Sequence, residues 1–256
     1  MAKRFGFVIA YTDNYLPGVT ALKNSINIHT PVDIIEHHGN SIEDTAIKRF
    51  DIAVKEGPKY DAICLMDADM FLTNDCSIFF EIASNGIIVT GSNGMVIDFN
   101  EDYQERYGVR VEDSLYLKIH TTAPIFLSPS DLDWFDRLYN SRRIDHWDDF
   151  LYLNILGLEM GKDKKMLCMP PYVFTGIHHW QVKPETSARL ARGKLISGTE
   201  EIIYMVHGKW WDDAWVNDLD LVMSRYFVNE TMGEKCQQRT KDSVDTLRQQ
   251  FYRYLS

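Results

Sequence analysis

An apolar run that stops at two carboxylates constrains this chain more than any other stretch. Residues 60–75 read YDAICLMDADMFLTND. Residues 62–66 are long enough for one buried strand of a parallel sheet, Asp67-Ala68-Asp69 ends the run, and residues 70–72 resume it. Two carboxylates so close together at the end of a buried strand are costly unless a cation meets them. In open α/β sheets, ligands sit at the carboxyl ends of the strands. A hard divalent ion, Mg²⁺ or Mn²⁺, takes carboxylate oxygens and leaves positions for substrate phosphates. The economical reading is a metal–diphosphate site. The plain alternative is a solvated acidic turn, because Asp-x-Asp triplets are common by chance.

The rest of the chain supplies strands and helices in alternation. Residues 5–10 predict a first strand, followed by the polar and aromatic turn Tyr11-Thr12-Asp13-Asn14-Tyr15. A helix runs from Leu16-Pro17-Gly18 to about Ile28, with Pro17 in the first turn where it is tolerated, and Val19, Leu22 and Ile26 on an apolar face. A strand over 32–37 and a helix over 41–54 follow, with Ser41 as N-cap and Asp44 at the third position. Beyond the metal strand come a short helix over 77–83 and a strand over 86–90. Residues 91–113 are rich in Gly, Asn and acids and have no period. Further strands are read over 121–127, over 167–174 at a sheet edge because of Pro170-Pro171, and over 202–206. Helices are read over 132–139 and 151–160. Residues 181–198 are polar and carry no apolar period. The fold class is α/β, a single mainly parallel sheet flanked by helices.

Composition narrows the function classes. The net charge of −10 argues against a nucleic-acid backbone as partner, though not against a nucleotide, since a metal ion supplies positive charge locally. Cys64, Cys76, Cys168 and Cys236 form no CxxC pair and no close Cys/His cluster, which argues against a zinc site or a disulfide framework. The apolar run near the N-terminus is too short for a signal segment, and no run approaches a membrane span. The expectation is a cytoplasmic protein. A final helix over 235–256 places Val244, Leu247 and Phe251 on one face. Its basic residues, Arg239, Lys241, Arg248 and Arg253, are diluted by Glu234, Asp242 and Asp245, so docking on the protein's own core is preferred to a membrane-surface contact.

A second strand end joins the first. The strand over 202–206 finishes at His207-Gly208-Lys209-Trp210-Trp211. A glycine lets backbone approach a ligand, a lysine offers a compact charge to phosphate, and a neutral imidazole ligates a divalent ion. Alone, His207 is as readily a hydrogen-bonded residue at a strand end. With Asp67 and Asp69 at another strand end, a shared site is the reading.

Three stretches carry a family resemblance: FVIAYTDNYLPGVTALKNSI at 7–26, the Asp67-Ala68-Asp69 triplet with its strand, and His207-Gly208-Lys209-Trp210. Together they resemble GT-A glycosyltransferases, most closely the family 8 type that includes glycogenin and bacterial lipopolysaccharide galactosyltransferases. The resemblance implies a GT-A-like catalytic domain over 1–230 and a helical tail over 231–256. It implies that Tyr11, Thr12, Asp13 and Tyr15 contact the nucleoside of the donor, and that Asp67, Asp69 and His207 bind Mn²⁺ or Mg²⁺. Gly208 and Lys209 would meet the diphosphate, and Lys48 or Arg49 would sit near the donor. Asp149 falls where the family places a helix-opening Asp near the donor sugar. Asp148 and Asp149 are the catalytic candidates; as acids at a helix N-terminus they are equally explained by the macrodipole. The implied reaction moves a sugar from a nucleoside diphosphate sugar, a UDP-sugar by family, to an acceptor hydroxyl with retention. The rival readings are a nucleotidyltransferase, which would want a basic Gly-rich loop where this chain has YTDNYLPG, and a non-catalytic sugar-binding module, which needs no diphosphate-binding metal.

Overall fold

Residues 2–96, 118–133, 165–169, 174, 188–198, 200–217 and 234–256 are described by the structure, a computed structural model. They divide into two compact units. The first comprises Met1–Thr12, Val32–Asp67 and Ser77–Pro170, the second Asp13–Pro31, Ala68–Cys76 and Pro171–Ser256.

The first unit is built on one six-stranded sheet. Phe5–Tyr11 (β1) lies between Asp33–His38 (β2) and Ala62–Met66 (β3), parallel to both. Beyond β3 come Lys118–Leu127, Ile87–Val96 and Lys165–Met169. Numbered in chain order, with β4 kept for Met70–Leu72 of the second unit, these are β6, β5 and β7, and the sheet order is β2-β1-β3-β6-β5-β7. Strand β6 runs antiparallel to both of its neighbours, while β7 is parallel to β5, so the sheet is mainly parallel. The strand expected over 121–127 thus begins earlier, and the one expected over 86–90 runs on to Val96.

Helices cover both faces, which is why all five side chains of β3 are buried. Side chains alternate across a strand. Phe7, Cys64 and Phe126 share a register position, and Phe80 of the helix Ser77–Ser84 (α3) packs edge-on against Phe7 and Phe126. One residue along, Val8 and Leu65 turn to the opposite face. They join Ile63, Ile125 and Leu127 in a cluster with Phe50 and Ala53 of Ile42–Glu56 (α2). Helix α2 begins as the sequence suggests: the Ser41 side chain accepts from the Asp44 N–H at 3.1 Å.

The second unit holds Leu16–His29 (α1), β4, the hairpin Ala188–Ala191 (β8) and Lys194–Ser197 (β9), Met205–His207 (β10), and Glu234–Leu255 (α4). The core of this unit gathers Ala21, Phe71, Leu195, Ile203, Val206, Trp210, Val244, Leu247 and Phe251. Val244, Leu247 and Phe251 therefore dock α4 on the protein itself. Phe71 lies 6.0 Å from Phe251 and 5.6 Å from Tyr254, ring to ring. Among the described residues, no helix is long and apolar enough to cross a membrane.

Two expectations change here. The strand read over 202–206 as part of the main sheet is β10, which pairs antiparallel with β4 in a separate two-stranded sheet. The backbone just before it is used elsewhere: Ile202 bridges to Ile196, the Ile203 N–H donates to the Leu195 carbonyl, and Thr73 N–H donates to the Tyr204 carbonyl. The polar stretch over 181–198 contains the β8–β9 hairpin. The expected helix over 151–160 lies outside the described residues.

Candidate metal centre

Strand pairing brings the two sequence motifs together. The register sets His207 opposite Met70 and so beside Asp69. The Gly208 N–H donates to the Asp69 carbonyl at 2.8 Å, which carries the ladder past the strand end. The His207 Nε2 then lies 3.0 Å from Asp69 Oδ1, with side chains 19% and 14% exposed. Asp67 is two residues upstream. One ligand atom each from Asp67, Asp69 and His207 fall within 4.8 Å of one another. Two carboxylates and an imidazole form a donor set suited to a divalent ion such as Mn²⁺ or Mg²⁺, and the three residues fit that role.

The local electrostatics keep Asp69 anionic. Burial pushes its carboxyl up, but the charge and hydrogen bond of His207, a backbone hydrogen bond and the charge of Lys209 outweigh burial and hold it below the usual value. Lys209 is shifted upward. Burial opposes its charge, yet a hydrogen bond to Tyr15 and the neighbouring Tyr15, Asp69 and Asp212 prevail. Its ammonium lies 5.0 Å from the centre of the Tyr15 ring, a cation–π distance.

Glycines and tryptophans shape the backing of this turn. A Cβ on Gly18, in the first turn of α1, would stand 2.5 Å from the Ala68 carbonyl oxygen and 2.6 Å from the Trp211 ring. The absent side chain lets α1 press directly on the residue between the two acids. Gly208 has a φ of 144°, and a Cβ there would meet Trp215 at 2.4 Å. This gives the glycine of His-Gly-Lys a packing reason. Asp212 Oδ1 caps the short turn that follows, accepting from the N–H groups of Ala214 and Trp215 at 2.9 and 3.2 Å.

The other expected residues are placed as follows. Tyr11 ends β1, with its hydroxyl 3.3 Å from Glu36 Oε2 and its ring 5.2 Å from that of His38. Thr12 follows it. Asp13 and Tyr15 bound a single 3-10 turn before α1, and the Tyr15 ring lies 6.0 Å from that of Trp211. Lys48 pairs with Asp51 on the exposed side of α2. Arg49 is buried and its Nη1 donates to Asp67 Oδ1. That bond to a metal-ligand candidate, and the roles of Trp211 and Trp215 behind the turn, were not foreseen from sequence. Asp148 and Asp149 lie outside the described residues.

Strand order and helical layers define a GT-A-like fold, and solved structures of that fold resemble this one. One is a glycosyltransferase involved in the glycosylation of the major capsid of PBCV-1, with a TM-score of 0.52 and 10% identity over 80% of this chain and 93% of that one. Another is the apo structure of WbbM, a bifunctional glycosyltransferase, with a TM-score of 0.51 and 13% identity over 94% of this chain. The match covers only 52% of WbbM, so this chain spans about half of that protein. Neither a protein-family model nor a curated protein sequence matches the chain.

Proposed function

We propose that the protein is a metal-dependent glycosyltransferase that moves a hexose from a nucleoside diphosphate sugar, a UDP-sugar, to an acceptor hydroxyl with retention of configuration. The observation that carries this reading is the Asp69–His207 contact of 3.0 Å beside Asp67, on a GT-A-like fold. Asp67, Asp69 and His207 would hold Mn²⁺ or Mg²⁺, which supplies Lewis-acid charge neutralisation on the departing diphosphate. Lys209 adds a positive charge for the diphosphate in the same region, and its contact with Tyr15 sets where that charge stands. Tyr11, Thr12, Asp13 and Tyr15 are assigned to the nucleoside, and Gly208 and Arg49 to the donor side. Asp149 is assigned to the donor sugar and Asp148 to the acceptor side or to solvent. In the transfer, the anomeric carbon gains a bond to the acceptor oxygen and loses its bond to the diphosphate oxygen, which leaves with the bonding electron pair, and the acceptor hydroxyl proton passes to that diphosphate. A cytoplasmic setting fits Cys64 and Cys76, which are buried free thiols.

The test is incubation with a panel of nucleotide sugars and Mn²⁺, following release of nucleoside diphosphate. At least one donor should be hydrolysed slowly, chelator should abolish this, and added Mn²⁺ should restore it. Asp69→Asn keeps the shape and removes the charge. It should lower turnover about a hundredfold or more, equivalent to roughly 3 kcal/mol of transition-state stabilisation. Full activity in chelator would end the metal reading. Sugar binding without any nucleotide or Mn²⁺ dependence would favour a binding module instead.

A further inference from the structure

Arg49 occupies an unusual place for a cation. It lies on α2 in a line of residues four apart, Thr45, Arg49, Ala53 and Gly57, all of them buried. Only 4% of its side chain is exposed. A guanidinium does not deprotonate in proteins, so burial cannot be relieved by losing the charge. It therefore needs an anion held against it, and withdrawing that anion is strongly unfavourable. The anion is Asp67: Arg49 Nη1 donates to Asp67 Oδ1, with the Met66 carbonyl oxygen 3.5 Å away.

Asp67 is also one of the three ligand-type residues of the candidate metal centre. One carboxylate is thus shared between a permanent cation and an incoming one. Together Asp67 and Arg49 have no net charge, so Asp67 attracts a bare divalent ion far less than an uncompensated carboxylate would. A diphosphate brings new negative charge and restores the attraction.

We propose that Arg49 is a positioning residue that holds the Asp67 carboxylate and weakens the centre for a bare ion, so that the metal binds firmly only together with an anionic diphosphate. This rests on reading Asp67, Asp69 and His207 as metal ligands. It ties retention of the ion to the presence of the donor or its diphosphate product.

The experiment is calorimetric titration of the full chain with Mn²⁺, without nucleotide and again with saturating UDP. Arg49→Gln keeps an amide donor for Asp67 and removes the charge. It should bind Mn²⁺ alone about tenfold tighter or more, and the tightening brought by UDP should shrink by a similar factor. Arg49→Lys restores a cation, which the adjacent Asp67 carboxylate favours despite burial, and should stay within about threefold of the native protein. Thermal melts establish that each variant is folded. Unchanged or weaker Mn²⁺ binding by folded Arg49→Gln overturns the inference while leaving the metal site standing. If that variant does not fold, the native protein decides: Mn²⁺ should bind at least about tenfold tighter with UDP than without, and equal affinities overturn the inference. Native protein that binds no Mn²⁺ under either condition refutes the metal reading itself, and this inference with it.

Discussion

Gly208→Ala separates two reasons for a glycine at the centre of His-Gly-Lys. If the glycine serves only the approach of a ligand, alanine should reduce diphosphate binding and leave stability intact. The structure gives a different weight. The residue has a φ of 144°, a region that side chains rarely adopt, and holding alanine there costs about 1–3 kcal/mol. The new Cβ would also stand 2.4 and 2.9 Å from two carbons of the Trp215 ring and 3.1 Å from Trp210 Nε1. Trp210 is fully buried, and the two indoles pack edge-on at 5.1 Å, so neither ring can give way without disturbing the other. Overpacking of this kind costs about 1–3 kcal/mol. The sum is about 2–6 kcal/mol. At about 2–4 °C per kcal/mol for a protein of this size, Tm should fall by about 4 °C or more. Urea and thermal unfolding followed by tryptophan fluorescence read this directly. A Gly208→Ala protein within about 0.5 kcal/mol of native stability would refute the packing argument.

Two further predictions concern the same unit. His207→Ala should raise the Mn²⁺ concentration needed for donor hydrolysis; Lys209→Ala should leave the metal requirement similar and weaken diphosphate binding. A metal requirement unmoved in His207→Ala would remove that residue from the ligand set. His29, at the end of α1, has its Nε2 2.7 Å from the Tyr254 hydroxyl of α4. Burial, with Arg253 adding to it and Asp75 opposing, pulls the His29 value below the ordinary 6.5. The folded protein therefore binds this proton less readily than the unfolded chain. Stability is full above about pH 6.5 and is lost as pH falls toward the lowered value. Urea midpoints should drop through that window, and His29→Gln should flatten the drop; an unchanged slope would count against it.

The sequence was most legible where one physical pattern acted alone. Residues 62–66 read as a buried strand because five apolar residues in a row leave few alternatives, and all five are buried. Ser41 read as a cap because a serine hydroxyl just before a helical run can accept from the N–H three residues on, and the Asp44 N–H donates to it. Strand 202–206 was misplaced because apolar residues announce burial without naming the partner strand. Ile202 and Ile203 are bonded toward β9, and only Met205–His207 pairs with β4. The β8–β9 hairpin was hidden by polar composition, although Gly193 marked it: Arg192 and Gly193 turn with φ of 51° and 77°, the backbone of a tight two-residue connection. Arg49 also left a trace. Thr45, Ala53 and Gly57 are small residues at its own helical spacing, which marks that line of α2 as inward-facing and the arginine as in need of an anion. The meeting of Asp69 with His207 was anticipated from two strand ends, but through one parallel sheet. Antiparallel pairing of β4 and β10 achieves it instead.

The second unit is assembled from three separated pieces of chain, and this governs how it is made. Ala21 and Phe71 belong to its core, yet Leu247 and Phe251, which complete that core, are synthesised about 180 residues after Phe71, from 251 − 71. On the ribosome, at about 5–20 residues per second, the early pieces wait roughly ten seconds or more for their partners. Phe71 and Leu72 of β4 spend that interval without the strand and helix that later bury them. Loop-closure entropy makes such distant contacts slower to form than local ones. A nascent chain carrying the Asp67-Ala68-Asp69 turn thus cannot form the Asp69–His207 contact until His207, 138 residues later, has emerged.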